Sequence, residues 1–252
     1  MKAIASAMFL FILFPNVAVG ESGGGEESSV RCRSLLDAAD EAGRNVERVE
    51  EARALQEQAL SVCPPARSLD VELGTRVALA RARHLHAHAS QSERAIKGLE
   101  ETLEWLTAEV GLHHPSRIAI LEEIANLLQG TSFRLTGAEA SERRKMSRAL
   151  IQEAIGVREA VYGSSTVEVA EGWLLLSASF MLEHPEVAEQ HARRAYEVVV
   201  EAKGPGDAAL LEPLSMLKDA LERQGLDAEA EEVRDQMTLV AMNLEKSEHG
   251  RE

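Results

Sequence analysis

Residues 167–204 read VEVAEGWLLLSASFMLEHPEVAEQHARRAYEVVVEAKG, and this stretch decides the fold of the chain. Both halves have the spacing of apolar residues that is typical of amphipathic helices, and a His-Pro pair separates them. In the second half Ala188, Ala192 and Ala195 recur at intervals of four and three, so a neighbouring backbone could pack closely there. The stretch therefore predicts two antiparallel helices joined by a tight turn.

Other parts of the chain repeat this plan. Glycines that end predicted helices lie at Gly111, Gly163 and Gly204, which gives intervals of 52 and 41 residues. The first interval contains residues 129–140, where Gly, Thr and Ser predict a longer loop. Without about ten residues of this loop, the period is roughly 42 with two helices in each unit. We therefore predict an all-α solenoid of about five helix hairpins over residues 30–245.

The composition supports this fold class. Hydrophobic residues make up 45% of the chain and aromatic residues only 4%, while Ala, Leu, Glu and Arg dominate. These four residues are good helix formers, and the sequence lacks alternating runs of β-branched and aromatic residues. The formal net charge of −15 opposes binding to nucleic acid or to an anionic membrane and favours a basic partner.

The N-terminus has the features of a secretory signal. Lys2 precedes a short apolar segment, and a run of small residues that ends at Gly20 forms the cleavage site. We predict a signal peptide at residues 1–20, a flexible leader rich in Gly, Glu and Ser at residues 21–29, and a polar tail at residues 246–252. An uncleaved membrane anchor is the alternative. The heavy use of Arg and Ala is typical of a bacterial chain, so we expect a periplasmic or secreted bacterial protein.

Cys32 and Cys63 are the only cysteines of the chain. They fall at the start of the first predicted helix and at the end of the second, and these two ends lie side by side in an antiparallel pair. Because an exported chain meets oxidising conditions, we predict a disulfide between Cys32 and Cys63 that closes the N-terminal hairpin. Two free buried thiols are the alternative.

Short motifs recur in successive predicted hairpins. Leu121, Ile124 and Ala125 fit a Leu-x-x-Leu-Ala pattern that follows a Gly-Leu-His-His-Pro segment. Trp173 and Leu176 take the first two of these places in the next hairpin. The motifs resemble tetratricopeptide repeats, and most closely the 42-residue type of kinesin light chain. This resemblance implies a right-handed superhelix whose first helices line a concave groove for a peptide or a protein segment.

In this repeat type, paired Asn residues between the two Leu positions often hold the backbone of the ligand. The equivalent positions of this chain are Glu122, Glu123, Leu174, Leu175, Ser215 and Met216. Since none of them is Asn, the resemblance implies a partner-binding groove that is partly acidic and partly apolar. Ordinary surface exposure or packing between helices is the alternative for each of the six residues.

The sequence lacks the signatures of common enzyme classes, namely Gly-x-Ser-x-Gly, His-Glu-x-x-His and a phosphate-binding loop. His84 and His88 have the spacing of metal ligands on one helix face, but no Cys or second His pair nearby completes a site. We therefore expect no enzymatic activity, no metal and no cofactor. A helical hydrolase or a metal-binding protein is the less favoured class.

These observations predict an exported, non-catalytic adaptor or scaffold that binds an unknown protein or peptide, with a preference for basic partners. We expect no binding to nucleic acid and no insertion into a membrane after the signal is removed. An envelope chaperone or a self-associating scaffold is the alternative function.

Overall fold

The computed structural model describes residues 24–87 and 91–249. The predicted signal peptide at residues 1–20 lies outside the described residues, as do residues 21–23 of the predicted leader. None of the helices in the described part of the chain combines the length and the apolar character that a membrane crossing needs.

The described residues form ten α-helices and no strand. In chain order they are α1 (Gly24–Gly43), α2 (Val49–Val62), α3 (Val71–Ala87), α4 (Ser92–Val110), α5 (Ser116–Ser132), α6 (Gly137–Tyr162), α7 (Val167–Phe180), α8 (Pro185–Lys203), α9 (Leu211–Gln224) and α10 (Asp227–His249). Consecutive helices pair as five hairpins, numbered 1 to 5 from the N-terminus, and each hairpin packs on the next. The predicted all-α solenoid of five hairpins is confirmed.

The helical domain begins and ends outside its predicted limits. Helix α1 begins at Gly24, so residues 24–29 of the predicted leader are helical, and the Ser28 hydroxyl donates a hydrogen bond of 2.8 Å to the carbonyl of Val62. Acidic residues in the first turn of α1 interact favourably with the positive end of the helix dipole. At the other terminus α10 continues to His249, so the first residues of the predicted polar tail are helical as well.

The long loop predicted at residues 129–140 is not a loop. Helix α5 continues to Ser132, α6 begins at Gly137, and only residues 133–136 connect them. The Thr131 hydroxyl donates to carbonyls of the preceding turn of α5, which satisfies this polar side chain within the helix. The additional residues of hairpin 3 therefore lengthen its helices, and α6 reaches 26 residues.

Hairpin 1 is closed by a disulfide between Cys32 and Cys63, as predicted. The Cα atoms of the two residues are 4.9 Å apart, and Cys32 is fully buried against Leu36 and Leu73. The sequence predicted Cys32 at the start of the first helix, but it is the ninth residue of α1, because α1 begins at Gly24. The bond therefore ties the interior of α1 to the residue that follows α2.

The core lies within each hairpin and between successive hairpins. The second helix of one hairpin packs along the first helix of the next, as α4 does on α5, α6 on α7 and α8 on α9. Small residues permit this close approach. A Cβ atom on Gly172 of α7 would lie 2.6 Å from Cγ1 of Ile155 on α6, closer than two carbon atoms tolerate.

We expect Gly172→Ala to lower the free energy of unfolding by about 1–3 kcal/mol, because the added methyl group overpacks the contact between α6 and α7. The matched control is Gly156→Ala, since Gly156 is exposed in α6 and a Cβ there meets nothing within 4 Å. This control should gain about 0.5–1 kcal/mol from helix propensity. Urea denaturation measures both changes, and equal effects of the two substitutions would contradict the close contact at Gly172.

Candidate protein-binding surface

The first helices of the hairpins, α1, α3, α5, α7 and α9, lie on the inner side of the stack. Direct contacts join α3 to α5 and α7 to α9, whereas no pair of second helices in the described residues makes comparable contact. Because alternate helices approach most closely on the inside of a curve, these contacts favour a concave side lined by the first helices. We call the exposed side chains of these five helices the inner surface.

Ion pairs connect neighbouring first helices along the inner surface. Arg76 on α3 lies 2.8 Å from Asp37 and 2.8 Å from Asp40, both on α1. These carboxylates raise the pKa of Arg76 in spite of its partial burial, which acts in the opposite direction. Arg83 on α3 lies 3.4 Å from Glu123 on α5. These ion pairs therefore neutralise part of the charge on the inner surface at hairpins 1 to 3.

Two of the six predicted groove residues, Glu122 and Glu123, lie on α5 in ion pairs. Glu123 pairs with Arg83, and Glu122 accepts a hydrogen bond from Arg158 of α6. Their side chains are 18% and 16% exposed, so neither carboxylate is free for a partner without rearrangement.

Leu174 was expected to offer an apolar contact to a partner, but the structure places it in the core. It is 6% exposed and belongs to the buried cluster that α7 shares with α8, α9 and α10. Leu175, the next residue, is half-buried against the core cluster of Ala125 and Ile151. Leu175 follows Glu171 by four residues, so both side chains lie on the same face of α7.

Met216 and Ser215 are half-buried on α9. Met216 lines a cavity of about 620 Å³ between α7 and α9. Ala178 of α7 and Met181, which follows α7, form one side of this cavity. The charged residues of α9 that also line it are Asp219, Glu222 and Arg223. The six predicted groove residues therefore divide into a core residue (Leu174), a half-buried one (Leu175), two paired carboxylates, and Ser215 and Met216 on α9, where Met216 lines a cavity with both apolar and charged side chains.

Four carboxylates from three first helices form a group around Glu171, and the negative charges of the other three act on it. They are Glu122 of α5, Glu168 and Glu171 of α7, and Glu212 of α9. Arg158 of α6 reaches Glu122 directly and lies 3.9 Å from Glu171. We call these four acidic residues the inner carboxylates.

The inner carboxylates carry more negative charge than Arg158 neutralises. Burial raises the pKa of Glu171 above its usual value, Arg158 opposes this rise, and the charges of Glu168, Glu122 and Glu212 add to it. A raised carboxyl pKa means that the ionised form is unfavourable where it stands. The Glu171 side chain is 56% exposed, so a cation from a partner can reach it and would relieve the repulsion from the other carboxylates.

The sequence reasoning missed Glu168, Glu171, Glu212 and Arg158. It placed the groove only at the positions between the two Leu residues of each repeat, one turn away from Glu171. One signal was present, because Glu168 and Glu171 are three residues apart and therefore share a face of α7. Arg158 gave no signal, since it reaches the inner surface from a second helix.

The histidine pair singled out as a metal candidate is described only in part. His88 lies outside the described residues, and Nδ1 of His84 is 3.9 Å from a carboxylate oxygen of Glu57. The side chain of His86 contacts α4, with Nδ1 at 3.1 Å from the hydroxyl of Ser92. Within the part of the chain that the structure describes, no three His, Cys, Asp or Glu side chains form a group that could hold a metal ion.

No protein-family model and no curated relative matches the chain. Among solved structures, it is similar to a kinesin light chain protein with nearly identical TPR-like repeats from Podosopora anserina, at 20% identity and a TM-score of 0.63 over 86% of this chain and 97% of the other. A variant form of that protein gives 19% identity and a TM-score of 0.65 over 87% and 98%.

The chain is also similar to BtubC (BKLC) from P. vanneervenii, at 16% identity and a TM-score of 0.58 over 89% of this chain and 93% of the other. These structures share with this chain the stack of helix hairpins along nearly their whole length. The chain therefore has the TPR-like repeat fold of the kinesin light chain type, as its motifs predicted.

Proposed function

We propose that the protein is an exported, non-catalytic interaction module whose inner surface binds a segment of another protein that carries Lys or Arg side chains. The observation that carries this proposal is the group of inner carboxylates, in which Arg158 pairs with Glu122 and Glu171 while Glu168 and Glu212 add further negative charge beside Glu171. A bound cation would lower the unfavourable charge there, so binding and electrostatic relief would occur together.

The second element of the proposed site is the cavity beside Met216. It lies on the same two helices, α7 and α9, that carry Glu168, Glu171 and Glu212. Met side chains adapt to different apolar shapes, so Met181 and Met216 suit an apolar side chain of the partner. A segment with a basic residue near an apolar one would therefore fit this end of the inner surface.

Export is the second part of the proposal, and the disulfide supports it. Disulfides persist in oxidising compartments and are rare where glutathione keeps thiols reduced. The bond between Cys32 and Cys63 would accordingly form after secretion, and a partner would be met in the cell envelope or outside the cell.

The test uses a variant with Glu168→Gln, Glu171→Gln and Glu212→Gln. The matched control, Glu109→Gln, Glu159→Gln and Glu201→Gln, changes the same charge at exposed positions of the second helices α4, α6 and α8. The probes are a short peptide of Lys and Leu residues and the corresponding peptide of Glu and Leu residues.

We expect the Lys-containing peptide to bind the unmodified protein and the control, and to bind the inner-surface variant about tenfold or more weakly. Isothermal titration at low and at physiological salt measures these affinities. Envelope proteins retained on the immobilised protein should show the same dependence on the two variants. Equal binding of the peptide to both variants, or equal binding of the Glu-containing peptide, would overturn the proposal.

A further inference from the structure

A second cavity, of about 530 Å³, lies in hairpin 2 and is lined by basic side chains. Arg67 precedes α3, Arg81 lies on α3, and Arg94 and Lys97 lie on α4. Glu101 is the one acidic residue among those that line it. The cavity therefore carries an excess of positive charge in a chain whose net charge is −15.

The four cations have no carboxylate partner among the described residues. Salt bridges in the described part of the chain engage many of its other arginines, but none involves Arg67, Arg81, Arg94 or Lys97. Two of them are instead held by backbone carbonyls. Arg67 donates a hydrogen bond of 2.9 Å to the carbonyl of Glu101, and Arg81 donates to that of Pro64 at 3.4 Å.

The cavity lies beside the connection between hairpins 1 and 2, which pack on each other differently from the other hairpins. Helix α2 contacts α3 over a much shorter length than α4 contacts α5 or α6 contacts α7. The Pro64-Pro65 pair and a short 3₁₀ helix at Ala66–Ser68 separate α2 from α3. This connection contacts both helices of hairpin 2 and leaves part of the groove between α3 and α4 open.

The floor of the cavity is apolar and closely packed. Ala78 and Ala82 of α3 and Ala95 of α4 form part of it, and they are between 1% and 7% exposed. Leu85 also lines the cavity. A ligand would therefore meet apolar contacts below and positive charge around the rim.

We infer that this cavity binds a small organic anion that combines a phosphate or carboxylate group with a compact apolar part. Its volume is in the range of ordinary small-molecule sites, roughly 300–1,000 Å³. Arginine forks pair well with phosphate and carboxylate oxygens, and the alanine floor suits an apolar body. The site is separate from the inner carboxylates and does not depend on the proposed protein partner.

The test measures binding of phenyl phosphate, with inorganic phosphate and benzyl alcohol as matched probes that lack either the apolar part or the charge. The variant is Arg94→Gln with Lys97→Gln, since both side chains are exposed and neither forms an ion pair with a described residue. The control is Arg31→Gln with Lys203→Gln, which removes the same charge from exposed positions on α1 and α8.

We expect phenyl phosphate to bind more tightly than either matched probe, and the Arg94 and Lys97 variant to lose about tenfold in affinity. The control should stay within about twofold of the unmodified protein. Chemical-shift mapping should place the ligand at Ala78, Ala82 and Ala95. Equal losses in variant and control, saturable binding of phosphate alone with the same affinity, or no saturable binding would each overturn the inference.

Discussion

Replacing both cysteines, Cys32→Ala with Cys63→Ala, should loosen hairpin 1 while hairpins 3 to 5 remain folded. The disulfide joins residues that are 31 positions apart. In the chain-entropy model a loop of this length contributes about 3–4 kcal/mol. Because α2 makes only short contact with α3, we expect the loss to act within hairpin 1 rather than across the stack.

Hydrogen exchange measured by mass spectrometry distinguishes local opening of hairpin 1 from unfolding of the whole stack. A loss of about 3–4 kcal/mol raises the population of the locally open state roughly several-hundred-fold, so amides of α1 and α2 should exchange faster by that factor. Peptides from α9 and α10 provide the internal control and should not change. Faster exchange along the whole chain would mean that hairpin 1 unfolds only together with the rest.

The disulfide also lies close to residues that line the cavity of hairpin 2. Arg81 lies 3.5 Å from the carbonyl of Cys63 and 3.4 Å from that of Pro64, directly after α2. When hairpin 1 opens, these acceptors move away from α3. The same exchange experiment on Arg81 and its neighbours therefore indicates whether the disulfide positions the rim of this cavity.

Helix spacing predicted the hairpins well because each helix buries a recurring apolar face. Trp173, Leu176 and Ala192 are buried or half-buried as their spacing requires, and the glycines at 111, 163 and 204 end helices with positive φ. These features depend on local geometry alone, so they can be predicted without knowledge of how the hairpins are arranged.

Residues 129–140 show where local signals fail. Gly, Thr and Ser favour loops in isolation, but Thr131 and Ser132 are buried and their hydroxyls bond to carbonyls within α5. Packing against neighbouring helices thereby overrides their intrinsic preference. The spacing of the glycines could not distinguish the two possibilities, because a longer loop and longer helices increase the interval between glycines by the same amount.

The inner carboxylates could not be predicted from the sequence for a different reason. Glu122, Glu171 and Glu212 are far apart in the chain, and only the stacking of hairpins 3, 4 and 5 brings them together. Leu174 illustrates the same limit, since its position in the motif does not reveal that α7 turns it toward α8 and α9. Sequence predicts which residues face outward on a helix far better than which neighbours they meet.

Replacing Arg158 by Met should lower the free energy of unfolding by about 3 kcal/mol at neutral pH. The Arg158 side chain is 8% exposed and its partner Glu122 only 18%, so the substitution leaves a poorly hydrated carboxylate without its cation. Met retains much of the aliphatic volume of Arg, which keeps the change in packing small.

Two variants separate the charge effect from packing. Arg158→Met combined with Glu122→Leu removes both charges and should recover most of the lost stability, since a buried ion pair and an apolar pair are often equivalent. Arg194→Met removes an arginine that is 50% exposed and paired at the surface with Glu197, and should change stability by less than about 1 kcal/mol. Urea denaturation of the four proteins gives the comparison.

The pH dependence of the stability lost in Arg158→Met shows whether charge or packing causes the loss. Arg158 lowers the pKa of Glu171, which burial raises above the usual 4.5, so the pKa of Glu171 should rise further in the Arg158→Met variant. A carboxyl group whose pKa is higher in the folded than in the unfolded state binds its proton more strongly in the folded state. The free energy of unfolding therefore falls as the pH rises from the unfolded-state pKa through the folded-state pKa.

The gap in stability between the unmodified protein and Arg158→Met should therefore be large near about pH 7 and narrow near about pH 4, where the Glu171 carboxyl group, with its raised pKa, is neutral. A gap of constant size across this range would assign the loss to packing of the Arg158 chain instead. A narrowing gap would mean that the folded chain holds the inner carboxylates together against their mutual repulsion. That repulsion is what a cation from a partner would relieve, so the same titration tests the electrostatic basis of the proposed binding.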